Sequence, residues 1–448
     1  MSTNRNVMLG FWSLWSVWSL GGGLSRAEPV HLDRVTPSLV VQRPGLYPET
    51  IEYDRKHNRF LLGSFREGAV YTVDAHGATS ILVDDPRLCS VLGLAVDVER
   101  GRLWVVSADL GSATRPSLAG PRKLAAVGVY ELATGAPLGY HDLAALVPGP
   151  HLLNGIAVDA AGNAYVTDSF SPVIYKLTVD GKATILARDP RFAGEGVNLN
   201  GLVVHPNGYL LVVKKSDGAL FKIPLDHPAL LSRVAAPALV GGDGVVLVDQ
   251  NRLVVISNRT SSAVSDAASV LTSDDNWSTA KLVASLPLGD VYPTTAVVRD
   301  GKIYVVHSKL NELLGAPPEK QALLRRQAEI EQIGVVEAPT PGIRRTLLGR
   351  EPARQPGWET RLYLIEYPPG AKGAPHLHPE PGVGWVVEGE FESAFAGQPV
   401  IKVKAGQSFV EQAGLAHLLF RNPSPDHPLR FVVAYTLRSV DEPFRLLP

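Results

Sequence analysis

The sequence predicts an all-β protein with two domains, a six-bladed β-propeller followed by a linker helix and a smaller β-barrel. Three observations support this prediction. The chain has 448 residues, too many for one ordinary hydrophobic core. A unit of short apolar strands recurs six times with a period of about 45 residues, the length of a four-stranded propeller blade. The 42 glycines and 35 prolines are scattered along the chain, as expected for many short strands joined by tight turns.

Composition and charge narrow the range of partners. The formal net charge is -1, and charged residues make up 19% of the chain without a run of Lys or Arg. Nucleic acid and anionic membrane surfaces are therefore not expected as partners, whereas a small neutral or acidic molecule is. The single cysteine, Cys89, cannot form an internal disulfide and is expected to be a buried apolar residue.

The N-terminal segment has the layout of a secretory signal peptide. Arg5 precedes an apolar stretch from Val7 to Leu20, and Ser25 and Ala27 supply small residues for a cleavage site. We expect cleavage after residue 27 and a periplasmic or secreted protein without a membrane anchor. The alternative is an N-terminal tail on a cytoplasmic protein.

The six repeat units cover residues 38–314, and each begins with a short apolar strand. The first strand of a blade is innermost, so its opening residue lies at one mouth of the central channel. The six opening residues are Glu49, Leu92, Asn154, Asn200, Asp243 and Thr294. Four of them carry carboxylate or carboxamide oxygens, which together would suit a hard cation such as Ca²⁺. Alternatively, these side chains cap the turns at the strand entries.

The dipeptides Pro48-Glu49, Asn154-Gly155, Asn200-Gly201 and Asp243-Gly244 resemble those of the gluconolactonase/senescence marker protein family and of the paraoxonase lactonases. The resemblance implies that Glu49, Asn154, Asn200 and Asp243 hold Ca²⁺ or another divalent cation. It also implies hydrolysis of a lactone or related ester, in which the metal polarises the carbonyl and water attacks. Asp243 would double as the general base. Asp168 is a second catalytic candidate, or a residue that braces the site.

Residues 315–343 separate the propeller from the second domain. Pro317 and Pro318 open a stretch rich in Gln, Glu, Arg and Leu. Apolar residues near helical spacing follow, namely Leu323, Leu324, Ala328 and Ile330. This pattern predicts one linker helix.

Residues 344–438 are predicted to form the second barrel, which carries a histidine motif. His376 and His378 are one residue apart and therefore point to the same face of a strand. Gly389 follows them, and a second block runs from Gly406 through His417 to Asn422. These blocks resemble the two cupin motifs. The resemblance implies a site for Zn, Fe, Mn or Ni on His376, His378 and His417. This domain would then bind substrate, support a homodimer, or act on the ring-opened product.

One residue departs from the cupin pattern. The motif expects a Glu at the position of Gly382, and the nearest carboxylate on the same face is Glu380. Glu380 could replace it as a fourth ligand only if the loop shifts, since two strand residues span about 6.6 Å. The alternative is an empty, structural or sugar-binding cupin.

Three functions are compatible with these features. The favoured one is a metal-dependent hydrolase acting on a small-molecule substrate in the propeller channel, with an accessory metal- or ligand-binding cupin. The second is a non-catalytic protein that binds small molecules. The third is a cupin-centred dioxygenase or isomerase with the propeller as scaffold. The sequence does not identify the substrate.

Overall fold

Six four-stranded antiparallel sheets form the N-terminal domain in a computed structural model that describes residues 30–259, 265–337, 343–438 and 443–447. The predicted signal peptide lies outside these residues. Among the described residues, no helix is both long and apolar enough to cross a membrane.

The first five blades follow one another along the chain, each numbered from its inner strand outward. Blade 1 contains Pro48–Asp54, Arg59–Ser64, Val70–Val73 and Thr79–Val83; blade 2 contains Ser90–Asp97, Arg102–Ala108, Ala125–Glu131 and Pro137–Asp142. Blade 3 contains Leu153–Val158, Ala164–Asp168, Val173–Leu177 and Ala183–Arg188; blade 4 contains Leu199–His205, Tyr209–Lys214, Leu220–Pro224 and Ser232–Arg233. Blade 5 contains Gly242–Asp249, Arg252–Ser257, Ala267–Thr272 and Lys281–Pro287. Short 3-10 helices lie at Ala144–Leu146, Pro190–Phe192 and Pro228–Leu230.

Blade 6 joins the two ends of the propeller sequence. Its inner strands are Pro293–Arg299 and Lys302–His307, its third is Glu329–Glu337, and its outermost is Val30–Val40. Val30–Val40 runs antiparallel to Glu329–Glu337, with Val30 opposite Glu337 and Val40 opposite Glu329. The N-terminal strand therefore closes the ring.

This closure corrects the predicted domain bounds of 38–314 and the predicted linker helix at 315–343. The structure has only two short helices here, Leu310–Gly315 and Pro318–Gln321, before the strand Glu329–Glu337. Ala328 and Ile330 alternate with a less buried residue, and both pack into the core cluster between blades 6 and 1. Leu323, assigned to the apolar face of the predicted helix, is instead 80% exposed. The period here is that of a strand rather than of a helix.

The inner strands approach one another closely around the channel because glycines follow several of the opening residues. A Cβ atom on Gly155 would lie 2.6 Å from the Asn200 carbonyl oxygen, and one on Gly201 would lie 2.4 Å from the Asp243 carbonyl oxygen. No side chain fits in either place. The repeated Asn-Gly and Asp-Gly pairs thus have a packing role in addition to any role of the polar side chain.

The C-terminal domain is a barrel of two facing sheets. One contains, in order across the sheet, Arg344–Pro352, Trp358–Tyr367, Leu429–Arg438, Gly382–Glu388 and Ser408–Glu411. The other contains Ile401–Lys404, Glu390–Phe395, His417–Arg421, His376–Leu377 and Arg445–Leu446, with Lys372–Gly373 also paired to His417–Arg421. Stacked and edge-on phenylalanine rings fill the space between the sheets. Arg445–Leu446 lies beyond the predicted end at 438.

Candidate metal centre and propeller channel

The three predicted histidines of the barrel come together. His376 lies directly opposite His417 in the strand pairing, and His378 points to the same interior as His376. All three are buried, and their ligand nitrogens lie within 4.8 Å of one another. The Nε2 atoms of His376 and His378 are 3.0 Å apart. Two adjacent nitrogen ligands of an octahedral metal, each about 2.1 Å from it, are separated by about 3 Å.

Backbone carbonyls fix the orientation of two of the rings. Nδ1 of His376 donates to the Ala374 carbonyl over 2.7 Å, and Nδ1 of His378 donates to the Pro443 carbonyl over 2.9 Å. A carbonyl only accepts, so each Nδ1 carries the proton. In the neutral form of each ring the Nε2 lone pair is therefore available for a metal, and these hydrogen bonds resemble those that orient metal-ligating histidines.

The protonation of the three rings differs. Burial lowers the pKa of His376. Burial of His417, together with the repulsion that a second proton would meet beside His376, lowers the pKa of His417 to about 3. Burial also acts to lower the pKa of His378, but its contact with Glu411 outweighs burial and raises it. Two of the three imidazoles are therefore neutral, the form in which histidine binds a metal.

The sequence does not point to Glu411, which lies beside the histidines. Its Oε2 lies 3.0 Å from Nε2 of His378, and the Tyr435 hydroxyl donates to the same carboxylate oxygen. In the sheet, Gly382 lies opposite Glu411 on one side and Tyr435 on the other. A Cβ atom on Gly382 would be 2.4 Å from the Tyr435 ring, which fills that space. The carboxylate expected at position 382 is thus supplied by the neighbouring strand.

Glu380 does not join the histidines. It is only partly buried, and Glu411, not Glu380, lines the cavity beside His376 and His378. The signal that could have identified Glu411 is the alternation in Ser408–Glu411, where Phe409 and Glu411 face inward. A glutamate on the buried face of a strand needs a partner.

The propeller channel encloses about 330 Å³ and is lined by the inner strands. The six predicted opening residues all line it: Glu49, Leu92, Asn154, Asn200, Asp243 and Thr294. All six are also buried. The structure therefore brings the four predicted ligands, Glu49, Asn154, Asn200 and Asp243, to one channel.

A lysine that the sequence reasoning did not consider binds one of these ligands. Nζ of Lys215 donates to Oδ2 of Asp243 over 2.7 Å and also to Oδ1 of Asn258. A divalent cation about 4 Å from this ammonium group would be repelled by about 8 kcal/mol at an effective dielectric constant of 20. The donor set suits Ca²⁺, but with Lys215 in this position the site does not fit a divalent cation.

Asp168 is a bracing residue in this geometry. Its Oδ2 contacts Nδ1 of His151 over 2.8 Å, and its Oδ1 accepts from the backbone N–H groups of Leu152 and Phe170, each over 3.0 Å. The side chain is fully buried. It does not line the described channel. These contacts favour the bracing alternative over a catalytic role.

Glu52, on the channel wall, gives a prediction for the pH dependence of stability. Burial raises its pKa from 4.5 to about 7. The folded state thus holds this proton more tightly than the unfolded state, and the resulting stabilisation is lost as the pH rises from about 4.5 through 7. We expect Glu52→Gln to gain about 1–2 kcal/mol relative to the wild type between pH 5 and pH 8, after allowance for water in the channel.

Chemical denaturation at several pH values measures this effect. Glu319→Gln, at an exposed position, is the matched control and should follow the wild type throughout. A difference between Glu52→Gln and the wild type that does not change with pH would contradict the prediction.

Comparisons with known proteins agree with the two folds. Residues 363–435 match the cupin domain family. The major allergen Mala s 1 of Malassezia sympodialis is similar in structure, with a TM-score of 0.53 and 18% identity over 66% of this chain and 96% of that protein. At this identity the likeness concerns the fold alone. No curated protein matches the chain.

Two further solved structures are similar to parts of the chain. A proposed gluconolactonase has a TM-score of 0.46 and 15% identity over 68% of this chain and 92% of its own. A double-stranded β-helix protein from Klebsiella pneumoniae has a TM-score of 0.21 and 23% identity over 25% of this chain and 89% of its own. The predicted combination of a propeller and a C-terminal cupin domain is confirmed.

Proposed function

We propose that this protein binds a divalent transition metal in its cupin domain through His376, His378 and His417, with Glu411 as the fourth ligand. The observation that carries the proposal is the convergence of three buried imidazoles, whose ligand nitrogens lie within 4.8 Å of one another. Three nitrogens and one carboxylate oxygen suit Fe, Mn, Ni or Zn and leave coordination positions open.

The surroundings restrict what else can reach this centre. The cavity beside the histidines holds about 30 Å³, close to the volume of one water molecule, and aromatic side chains such as Phe420, Phe431 and Tyr435 line it. In this conformation the open positions would accept water or a ligand of a few atoms. A bound metal would supply Lewis-acid or redox chemistry, while Tyr435 holds Glu411 in place.

Metal analysis of the full-length protein tests the proposal. After incubation with Fe, Mn, Ni or Zn and removal of loosely bound ions, we expect about one equivalent per chain in the wild type and a large loss in His376→Ala. His427→Ala, an exposed histidine of the same domain, is the control and should retain the metal. A wild-type protein that binds none of these metals would refute the proposal.

The fourth ligand has its own matched pair of variants. Glu411→Gln should weaken metal binding about 10- to 100-fold, because a carboxylate beside the metal is replaced by a neutral amide. Glu380→Gln should bind like the wild type. Equal metal affinities of the two variants would exclude Glu411 as a ligand, but they would not contradict the site formed by the three histidines.

Hydrolysis of a lactone or related ester in the propeller is the second candidate. Its support is the position of Glu49, Asn154, Asn200 and Asp243 around one cavity, and Asp243 is the candidate base. The predicted calcium ion is not part of this candidate, because Lys215 already binds Asp243. A panel of lactones and aryl esters, assayed with the wild type and Asp243→Ala, tests it. Activity that survives in the variant would exclude Asp243 as the base.

A further inference from the structure

We propose that Lys215 is the resident cation of the propeller channel and that its ammonium group joins the inner ends of neighbouring blades without a divalent metal. The inference concerns the propeller alone and is independent of the cupin site. It departs from the calcium site that the four oxygen-bearing residues predict.

The contacts of Lys215 extend over two further blades. Lys215 directly follows the second strand of blade 4, and its ammonium group binds Asp243 on the inner strand of blade 5. It also binds Asn258, which follows the second strand of blade 5. The Asn258 amide in turn donates to Asp243 and, over 3.0 Å, to the carbonyl of Pro293 at the start of blade 6. One network therefore joins blades 4, 5 and 6.

Lys215 is held in this position from all sides. It is 7% exposed, and its Nζ atom lies 5.7 Å from the centre of the Tyr292 ring. Its backbone N–H donates to the Asn198 carbonyl over 2.8 Å, and its own carbonyl accepts from Gly241 over 2.9 Å. A buried lysine needs charged or polar partners, and here Asp243 and Asn258 supply them.

A divalent cation would have to compete with the ion pair that is already present at this end of the channel. The ammonium nitrogen of Lys215 lies 2.7 Å from Oδ2 of Asp243, and both side chains are buried. The Asp243 carboxylate is therefore already paired with a positive charge, which weakens its attraction for Ca²⁺.

An apolar cluster packs around the same end of the channel. Leu92, the one apolar opening residue, contacts a cluster that includes Tyr47, Phe65, Leu310 and Leu313, and Tyr292 packs against it. Replacing a hydrated metal ion by a lysine side chain suits such surroundings, because the lysine brings its charge on an apolar stem.

Calcium titration of Lys215→Met tests the proposal. The background is His376→Ala, so that the cupin site does not contribute, and the probe is calcium chloride followed by calorimetry and thermal unfolding. The protein with Lys215 intact should show no calcium binding in the propeller. Lys215→Met leaves Asp243, Glu49 and the two asparagines without a cation. We expect it to bind calcium at least 10-fold more tightly than the weakest affinity that the same titration can detect in the parent.

Two further variants make the test decisive. Lys214→Met changes the adjacent buried lysine, whose ammonium binds the Ala193 carbonyl and Asp217, and should behave like the parent. If Lys215→Met does not fold, Lys215→Gln replaces it. Calcium binding by the parent that is abolished in Asp243→Ala would overturn the proposal. A folded Lys215 variant that gains no calcium binding would also overturn it, whether or not the cupin domain binds a metal.

Discussion

Deletion of residues 1–40 is expected to prevent the propeller from folding. Val30–Val40 is the outermost strand of blade 6, and without it Glu329–Glu337 keeps its inner partner, Lys302–His307, but loses its outer one. The deletion removes Leu32 from a core cluster that includes Val254 and Ile256 of blade 5. It also removes Arg34, which contacts the buried carboxylate of Glu331 at 3.3 Å. An open ring with an unpaired edge strand is prone to aggregate.

Soluble yield, size-exclusion chromatography and near-ultraviolet circular dichroism of the deletion variant measure this effect. Deletion of residues 1–29 is the control, because it removes the predicted signal peptide and keeps the closing strand. That shorter deletion should unfold at the same temperature as the full chain. A monomeric, cooperatively folded protein without residues 1–40 would show that the ring closes in another way.

The repeat made most of the propeller predictable, but not its closure. In four of the six inner strands a glycine follows the opening residue, as in Asn154-Gly155, because the same packing problem recurs in successive blades. The closing strand pairs Val30 with Glu337, two residues from opposite ends of the domain, and no local pattern encodes that pairing. Ala328 and Ile330 are two residues apart, as in a strand, but Ala328 also lies four residues after Leu324 and Ile330 seven after Leu323, which is helical spacing.

In the two candidate sites, too, the residues that follow a local sequence pattern were predictable and the residues that depend on contacts between strands or blades were not. His376 and His378 were predictable because alternate residues of a strand share a face, and the spacing to His417 followed a known motif. Glu411 depends on its register opposite Gly382 across the sheet. Lys215 lies in a loop of blade 4, whereas Asp243 lies on the inner strand of blade 5. The inner strands do not contain this lysine, so their oxygen-bearing side chains alone suggested a metal ion at the position where the Lys215 ammonium group binds.

Substitution of Asp168 by Ala is expected to lower the free energy of unfolding of the propeller by about 3–5 kcal/mol. The buried carboxylate accepts hydrogen bonds from the backbone N–H groups of Leu152 and Phe170 and forms an ion pair with His151 when that ring is charged. The hydrogen bond with Asp168 raises the pKa of His151, although burial of the imidazole acts in the opposite direction. Removal of the carboxylate leaves these donors buried without a partner, at about 1–3 kcal/mol each.

Denaturant unfolding of Asp168→Ala, beside the exposed Asp180→Ala as control, separates bracing from catalysis. Asp180→Ala should change stability by no more than about 0.5 kcal/mol. Any esterase activity of the wild type should persist in the folded fraction of Asp168→Ala and disappear in Asp243→Ala, because Asp243 lines the channel and Asp168 does not. If Asp168→Ala instead kept its stability and lost activity, the carboxylate would belong to the catalytic machinery and its hydrogen bonds would serve to position it there.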